Sequence, residues 1–231
     1  MKTYTVGMEI ESEYCIDVFV RDKLPPGWQI VHDASIKSSV RVNNLGEKSR
    51  MSSSQRSSDP FYTMGSEIIS PVFNVKDFDL TKIRRDLCYI TNLIQENGEP
   101  EKTWRSGIHI HVGLPEVSLY RLKSIIQLGR YMEDVFFQIS GQGYQFRGQF
   151  FNKCLYCRPI TKKGPQVFYL NDDEGNERLI QLFNVHDLLS ANSIVQFWDR
   201  YGGCTRDRQR WHPVRYSWLN LYSILYRGTL E

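Results

Sequence analysis

Long apolar runs are missing from this sequence. No stretch approaches the roughly 20 residues that a membrane-spanning helix needs, and Glu9 and Glu11 come too early for the first residues to form a signal-peptide core. A cytoplasmic location is the expectation. Cysteine is scarce: five in 231 residues, an odd number, do not make a disulfide scaffold. Cys154 and Cys157 form a CxxC, but no second pair stands at zinc-ribbon spacing, so a loop thiol pair is the simpler reading. Excess charge is also lacking, and at +3 nothing in the overall balance calls for a nucleic-acid partner. No internal repeat is visible.

What remains is an ordinary globular composition. With 41% hydrophobic and 24% charged residues, the chain can bury a real core as one large domain or two small ones. Its most unusual stretch is Ser106-Gly107-Ile108-His109-Ile110-His111-Val112-Gly113, which alternates as a strand does. Ile108, Ile110 and Val112 take one face. His109 and His111 take the other, about 7 Å apart, a spacing that suits metal ligation or phosphate contact. Two solvated residues on an open sheet face would give the same pattern.

A second alternating stretch runs over residues 3–20. Val6, Met8, Ile10 and Ser12 fall on one side, and Gly7, Glu9, Glu11 and Glu13 on the other. Three like charges in successive same-face positions repel, and the local sequence supplies no cation to relieve them. Divalent cations over that face would, because Mg²⁺ and Mn²⁺ take hard carboxylate oxygens. A solvated charged face is the competing reading.

The segment Gly27–Ile36 reads as a short strand that breaks at Asp33, where Asp33 and Ser35 suit either a turn or contact with a polar substrate. From 38 to 59 the composition turns to Ser, Arg, Asn and Lys, which predicts a mobile Ser/Arg-rich loop. Strand character returns over Phe61–Ser70 and stops at Pro71, with Glu67 as a candidate ligand among apolar neighbours. Two amphipathic helices flank the two-His strand. Leu80, Ile83, Leu87, Ile90 and Ile94 mark the first, closed by Asn97-Gly98; Leu119, Leu122, Ile126, Met132, Val135, Phe136 and Ile139 mark the second. Each stripe is expected to face the sheet and leave the carboxylate and imidazole face open, as a layered α+β domain. Beyond Ser140 aromatics and cations interleave, Arg147 and Arg158 among them, as they do around nucleotides and in many ordinary grooves. Residues 167–171 read as a strand and Glu177–Leu189 as a short helix.

Taken in order, VGMEIESE, HDASI, GSEIISP, SGIHIHVGL and RYSWLNLYSIL…RGTLE resemble the amidoligase family of carboxylate–amine ligases, relatives of glutamine synthetase and glutamate–cysteine ligase. The resemblance spans nearly the whole chain, 1–231, as a single catalytic domain. It implies a curved, mainly antiparallel sheet, a half-barrel with helices on its convex face. Its concave face would hold ATP and Mg²⁺ or Mn²⁺. It implies that ATP phosphorylates a carboxylate and an amine attacks the acyl phosphate, a chemistry of positioning and charge neutralisation. Residue by residue, Glu9, Glu11, Glu67, His109 and Glu231 would ligate metal, with Glu9 and Glu11 also catalytic. His111 would meet ATP phosphates. Asp33 and Ser35 would face the carboxylate substrate, and Arg147, Arg158 or Arg215 would hold phosphates, Arg215 beside the reacting group.

One departure is plain. The family continues past the closing Glu into Phe-Arg, whereas this sequence stops at Glu231, so the domain is expected to lack its C-terminal end and Glu231 to fray. Two other functions fit the same residues: a ligase-like fold that only binds, or a metal-dependent hydrolase. Partners are a carboxylate and an amine, as small molecules, peptides or protein side chains. Nucleic acid is not expected over an acidic face. Oligomeric state leaves no mark in the sequence.

Overall fold

Alternation in the first quarter of the chain builds a β-sheet in the computed structural model, which describes residues 3–12, 21–37, 40–42, 48–50, 64–96, 107–139, 160, 167–171, 177–181, 183–204 and 213–231. The architecture is α+β, and the chain separates into two units, Met1–Gly113 and Leu114–Glu231.

In the first unit, β1 (Thr3–Ser12) is the central strand. On one side it pairs antiparallel with β7 (Ile108–Gly113), and on the other with β5 (Met64–Ile69) and β6 (Phe73–Lys76) in succession. Strand β2 (Gln29–Lys37) pairs antiparallel with β5. Its ladder is regular to Asp33 and shifts between Asp33 and Lys37, where the sequence breaks its alternation. Two three-residue strands, β3 (Val40–Val42) and β4 (Lys48–Arg50), pair with each other inside the Ser/Arg-rich stretch.

The step from β5 to β6 is made by Ser70 and Pro71. Ser70 N–H donates to the Met8 carbonyl at 2.8 Å, and the Ser70 hydroxyl accepts the Met8 N–H at 2.7 Å. A side-chain oxygen thus stands in for the ladder carbonyl where proline turns the chain.

Opposite parities of β1 do different work. Met8, with Ile68, Phe73 and Val75 from its neighbours, packs against Ile83, Ile90 and Leu93 of α1 (Thr81–Glu96). That buried layer fixes the register, since a slip of one residue would turn Glu9 and Glu11 into it. A polar link runs through the same layer. The Trp28 indole N–H donates to Asp86 Oδ2 at 3.3 Å, Lys82 Nζ meets the same oxygen at 2.5 Å, and the ammonium lies 5.0 Å from the Phe73 ring centre. Leu80 stands just before α1 and is exposed, so the apolar stripe begins at Ile83.

The second unit is mostly helical. Here α2 (Leu119–Ile139) is followed by a hairpin of β8 (Val167–Asn171) and β9 (Glu177–Gln181), then α3 (Val185–Leu189), α4 (Ile194–Arg200), α5 (Tyr222–Arg227) and a two-residue β10 (Thr229–Leu230). Leu122 and Ile126 of α2 join Phe183, Leu188, Phe197, Tyr201 and Leu221 in its core. Leu122 and Ile126 are buried as a core stripe requires, but against residues of the second unit rather than the β1 sheet, and Val135 and Phe136 further on are exposed. The expected helix over Glu177–Leu189 also needs correction: 177–181 is a strand, and only Val185–Leu189 is helical. Pairing with β8 decides this, and a reading of one segment at a time does not see its partner.

Candidate functional site

Antiparallel pairing of β1 with β7 brings the two chemically loaded stretches together. The register sets Gly7 opposite His111, Glu9 opposite His109, and Ile10 opposite Ile108. The next pair is closed by Glu11 N–H, which donates to the Gly107 carbonyl at 2.8 Å. Because directly opposed residues share a face, one side of the two-strand ladder carries Gly7, Glu9 and Glu11 against His111, His109 and Gly107.

The side chains pair diagonally. His109 Nε2 lies 3.3 Å from Glu11 Oε1, and His111 Nε2 lies 3.4 Å from Glu9 Oε2. Each imidazole reaches past its direct partner to the carboxylate one pair along, within the reach of diagonal neighbours in a sheet. The pairs differ in depth: the His109 side chain is 33% exposed and that of His111 only 11%. The imidazole face is therefore partly closed at His111. Ile108 and Ile110 on the opposite face are 68% and 49% exposed, which reverses the expected contrast between a packed apolar face and an open polar one along β7.

Glu67 enters from the other side of β1. It is registered directly opposite Glu11 in the β1–β5 ladder, so Glu11 stands between Glu67 and Gly107 in one cross-strand row. Two carboxylates facing each other across a ladder are destabilising unless positive charge meets them.

A divalent cation can be tested against these donors. Two ligands of one ion at about 2.1 Å each lie about 3.0–3.4 Å apart in octahedral or tetrahedral geometry. At 3.3 and 3.4 Å the diagonal pairs sit at the tetrahedral end of that range, and an imidazole and a carboxylate in direct contact lie as far apart with no ion between them. Among the described residues no three His, Cys, Asp or Glu side chains gather closely enough to enclose an ion. Each diagonal pair offers two donors, so an ion there would need water or substrate oxygens to complete its shell. A closed structural zinc site needs four protein ligands. A Cβ built on Gly107 would come within 3.2 Å of Glu11 Oε2 and 3.7 Å of His109 Nε2, the movable ends of two side chains.

The family model described as "Putative amidoligase enzyme" matches residues 3–231. The chain belongs to the amidoligase family. No curated protein and no solved structure matches it.

The other expected amidoligase positions are distributed as follows. Asp33 and Ser35 lie in β2, Asp33 registered opposite Gly65, with their side chains outside the described part. Arg147 and Arg158 lie outside the described residues, as do Glu13, Cys154, Cys157 and Asn97-Gly98. Arg215 and Glu231 both belong to the second unit, where with Asn220, Tyr222, Ser223, Tyr226 and Arg227 they line one small polar pocket. Glu231 does not fray. Its backbone N–H and carbonyl exchange hydrogen bonds with Asn220 at 3.3 and 2.7 Å, and its carboxylate accepts from Asn220 Nδ2 at 2.9 Å.

Sequence reasoning missed Asn220, whose only signal was its place in RYSWLNL, and missed Gly107 as more than a strand boundary. A cleft of about 370 Å³ lies among Pro26, Pro71, Phe73, Asp79, Lys82 and Ile83 and shares no residue with the Glu and His array. No helix among the described residues is long and apolar enough to cross a membrane.

Proposed function

We infer that this amidoligase is an ATP-dependent carboxylate–amine ligase, forming an amide through an acyl phosphate with divalent cations at the Glu and His face. The observation that carries the reading is the row of carboxylates and imidazoles that the β1–β7 register gathers on one face, with Glu11 3.3 Å from His109 and Glu9 3.4 Å from His111. A divalent ion there would neutralise phosphate charge.

The chain's own residues have separable parts in this scheme. Glu9, Glu11, Glu67 and His109 would hold Mg²⁺ or Mn²⁺, and the deeper His111, whose Nε2 lies 3.4 Å from Glu9 Oε2, would meet the nucleotide phosphates. Asp33 and Ser35 orient the carboxylate substrate. Arg147, Arg158 and Arg215 are the candidate cations for phosphate, and Glu231 is a further carboxylate ligand. The same reading takes the antiparallel sheet as part of a glutamine synthetase-like half-barrel.

Calorimetric titration with a non-hydrolysable ATP analogue, in Mg²⁺ and then in EDTA, tests it. Binding that requires Mg²⁺ and is lost in Glu9→Ala supports the ligase, and release of ADP only when both a carboxylate and an amine are present would complete the case. Wild-type nucleotide affinity in Glu9→Ala would sink the site assignment. Phosphate release without an amine would favour a hydrolase.

A further inference from the structure

Strand β6 has a strand partner on one side only. The β2 ladder on β5 starts at Gln29, opposite Ile69, and just before it the chain turns, with Trp28 N–H donating to the Pro25 carbonyl at 3.1 Å. β5 runs on through Ser70 and Pro71 into β6, which pairs with β1 and with no other described strand. A cleft of about 370 Å³ lies at the vacant position. Phe73, Asn74 and Val75 line it in succession, residues of both parities, so it follows the edge of β6 rather than one of its faces. Pro26, just before β2, and Asp79, Lys82 and Ile83, around the start of α1, line it as well.

Backbone polarity agrees with an open edge. On β1 the odd residue Glu11 bonds towards β7, through Gly107, and the even residue Met8 towards β5, through Ser70. Tyr4 and Val6 therefore face β6, where they are registered with Val75 and Phe73. Asn74, opposite Thr5, directs its N–H and C=O the other way, into the cleft, and no group among the described residues bonds to them. The Lys76 carbonyl, of the same parity, also points outward and accepts the Asp79 N–H at 3.0 Å. Asp77 and Phe78 then adopt φ of +51° and +61°, a conformation that non-glycine residues rarely take. This ends β6 and leaves Phe78 exposed beside Asp79, as Val72 is exposed in the cleft itself. The charge of Lys82 is met by Asp86. Asp79 accepts the Thr81 N–H at 3.0 Å and takes part in no ion pair among the described residues.

We propose that the outer edge of β6 is a docking site for an extended peptide segment, which adds to the sheet as a strand at Asn74, with an apolar side chain against Val72 and a lysine or arginine near Asp79. A polypeptide strand offers the alternating N–H and C=O groups that such an edge takes. Asp79, as the unmatched charge of the cleft, selects a cationic segment. The volume stands at the lower end of the range for ligand sites, about 300–1,000 Å³, and suits a few residues of one strand. The inference does not rest on the ligase reading, since neither ATP nor a metal takes part in it.

The test is fluorescence anisotropy of capped, fluorescein-labelled hexapeptides titrated with the full chain. In these probes valine alternates with threonine, and the last residue is lysine or glutamate. A further set is N-methylated at every residue, which keeps the side chains and removes the ladder donors. Asn74→Pro removes the outward N–H and spares the β1 ladder, so it should melt at the wild-type temperature and bind at least about tenfold more weakly. Asn74→Ala should bind as the wild type does. The lysine peptide should bind about threefold more tightly than the glutamate peptide, and Asp79→Asn, which keeps the acceptor for Thr81, should erase that difference. No binding by the wild type, wild-type affinity in a folded Asn74→Pro, equal affinity for the lysine and glutamate peptides, or undiminished binding of the N-methylated peptides would overturn the inference. Should Asn74→Pro melt lower, the N-methylated peptides decide alone. A wild-type dimer that Asn74→Pro renders monomeric in sedimentation velocity would assign the edge to a second copy and overturn it as well.

Discussion

Trp218 donates its indole N–H to Glu133 Oε2 across 85 positions of sequence, at 2.8 Å. The same oxygen accepts the Ile160 backbone N–H, and Glu133 is almost fully buried. One carboxylate on α2 thus anchors two distant parts of the second unit. Glu133→Ala should leave both donors without this acceptor and cost about 3 kcal/mol, whereas Glu133→Gln, which keeps an oxygen, should cost about half as much. Urea melts followed by tryptophan fluorescence would check both values.

Asp86 gives the first unit an acid-sensitive element. Burial pushes its pKa up, but hydrogen bonds from Lys82 and Trp28 and the charges of Lys82 and Arg85 outweigh it and hold the carboxyl below the ordinary value. A depressed folded pKa contributes stability above the unfolded value, about 3.9, and that stability is lost as pH falls through the folded value. Asp86→Asn should therefore be less stable than wild type at pH 7, with the difference shrinking below about pH 4. Melting temperatures of the two proteins between pH 7 and pH 3 would reveal it.

Gly27 turns the chain into β2 at φ +86°, with its missing Cβ 3.2 Å from Pro71 Cβ. Alanine there must accept a left-handed backbone and a tight contact together. The expected cost is about 1–2 kcal/mol, measured as a drop in the urea midpoint with an unchanged slope.

Facing carboxylates would link any metal binding to stability. If Glu11, registered opposite Glu67, shares a divalent cation, Mn²⁺ at about 100 times its Kd should stabilise the wild type by about 2.7 kcal/mol. Glu67→Gln and Glu11→Gln should each lose most of that gain. Scanning calorimetry with and without Mn²⁺ measures it, and an equal gain in all three proteins would remove these carboxylates from the site.

Period-two alternation determined much of this fold unaided. It placed β1 and β7, and put Glu9 and Glu11 on one face of β1 and His109 and His111 on one face of β7; it ended a strand at Asp33, where β2 instead runs on to Lys37 with a shift in register. Side-chain direction along a strand is a local property, so sequence suffices for it. The five ordered motifs likewise carried the family, which the match over residues 3–231 bears out. Which strand lies beside which is not local. Only the tertiary structure decided that β7 runs antiparallel to β1 in the register that hands His109 to Glu11 and His111 to Glu9. Partner choice likewise made 177–181 a strand, and tertiary packing left Ile108 and Ile110 exposed although their side chains are apolar. The hold of Asn220 on Glu231 belongs with these, because a hydrogen bond between residues 11 positions apart depends on how the chain returns. Alternation fixes where a side chain points, and packing fixes what it meets there.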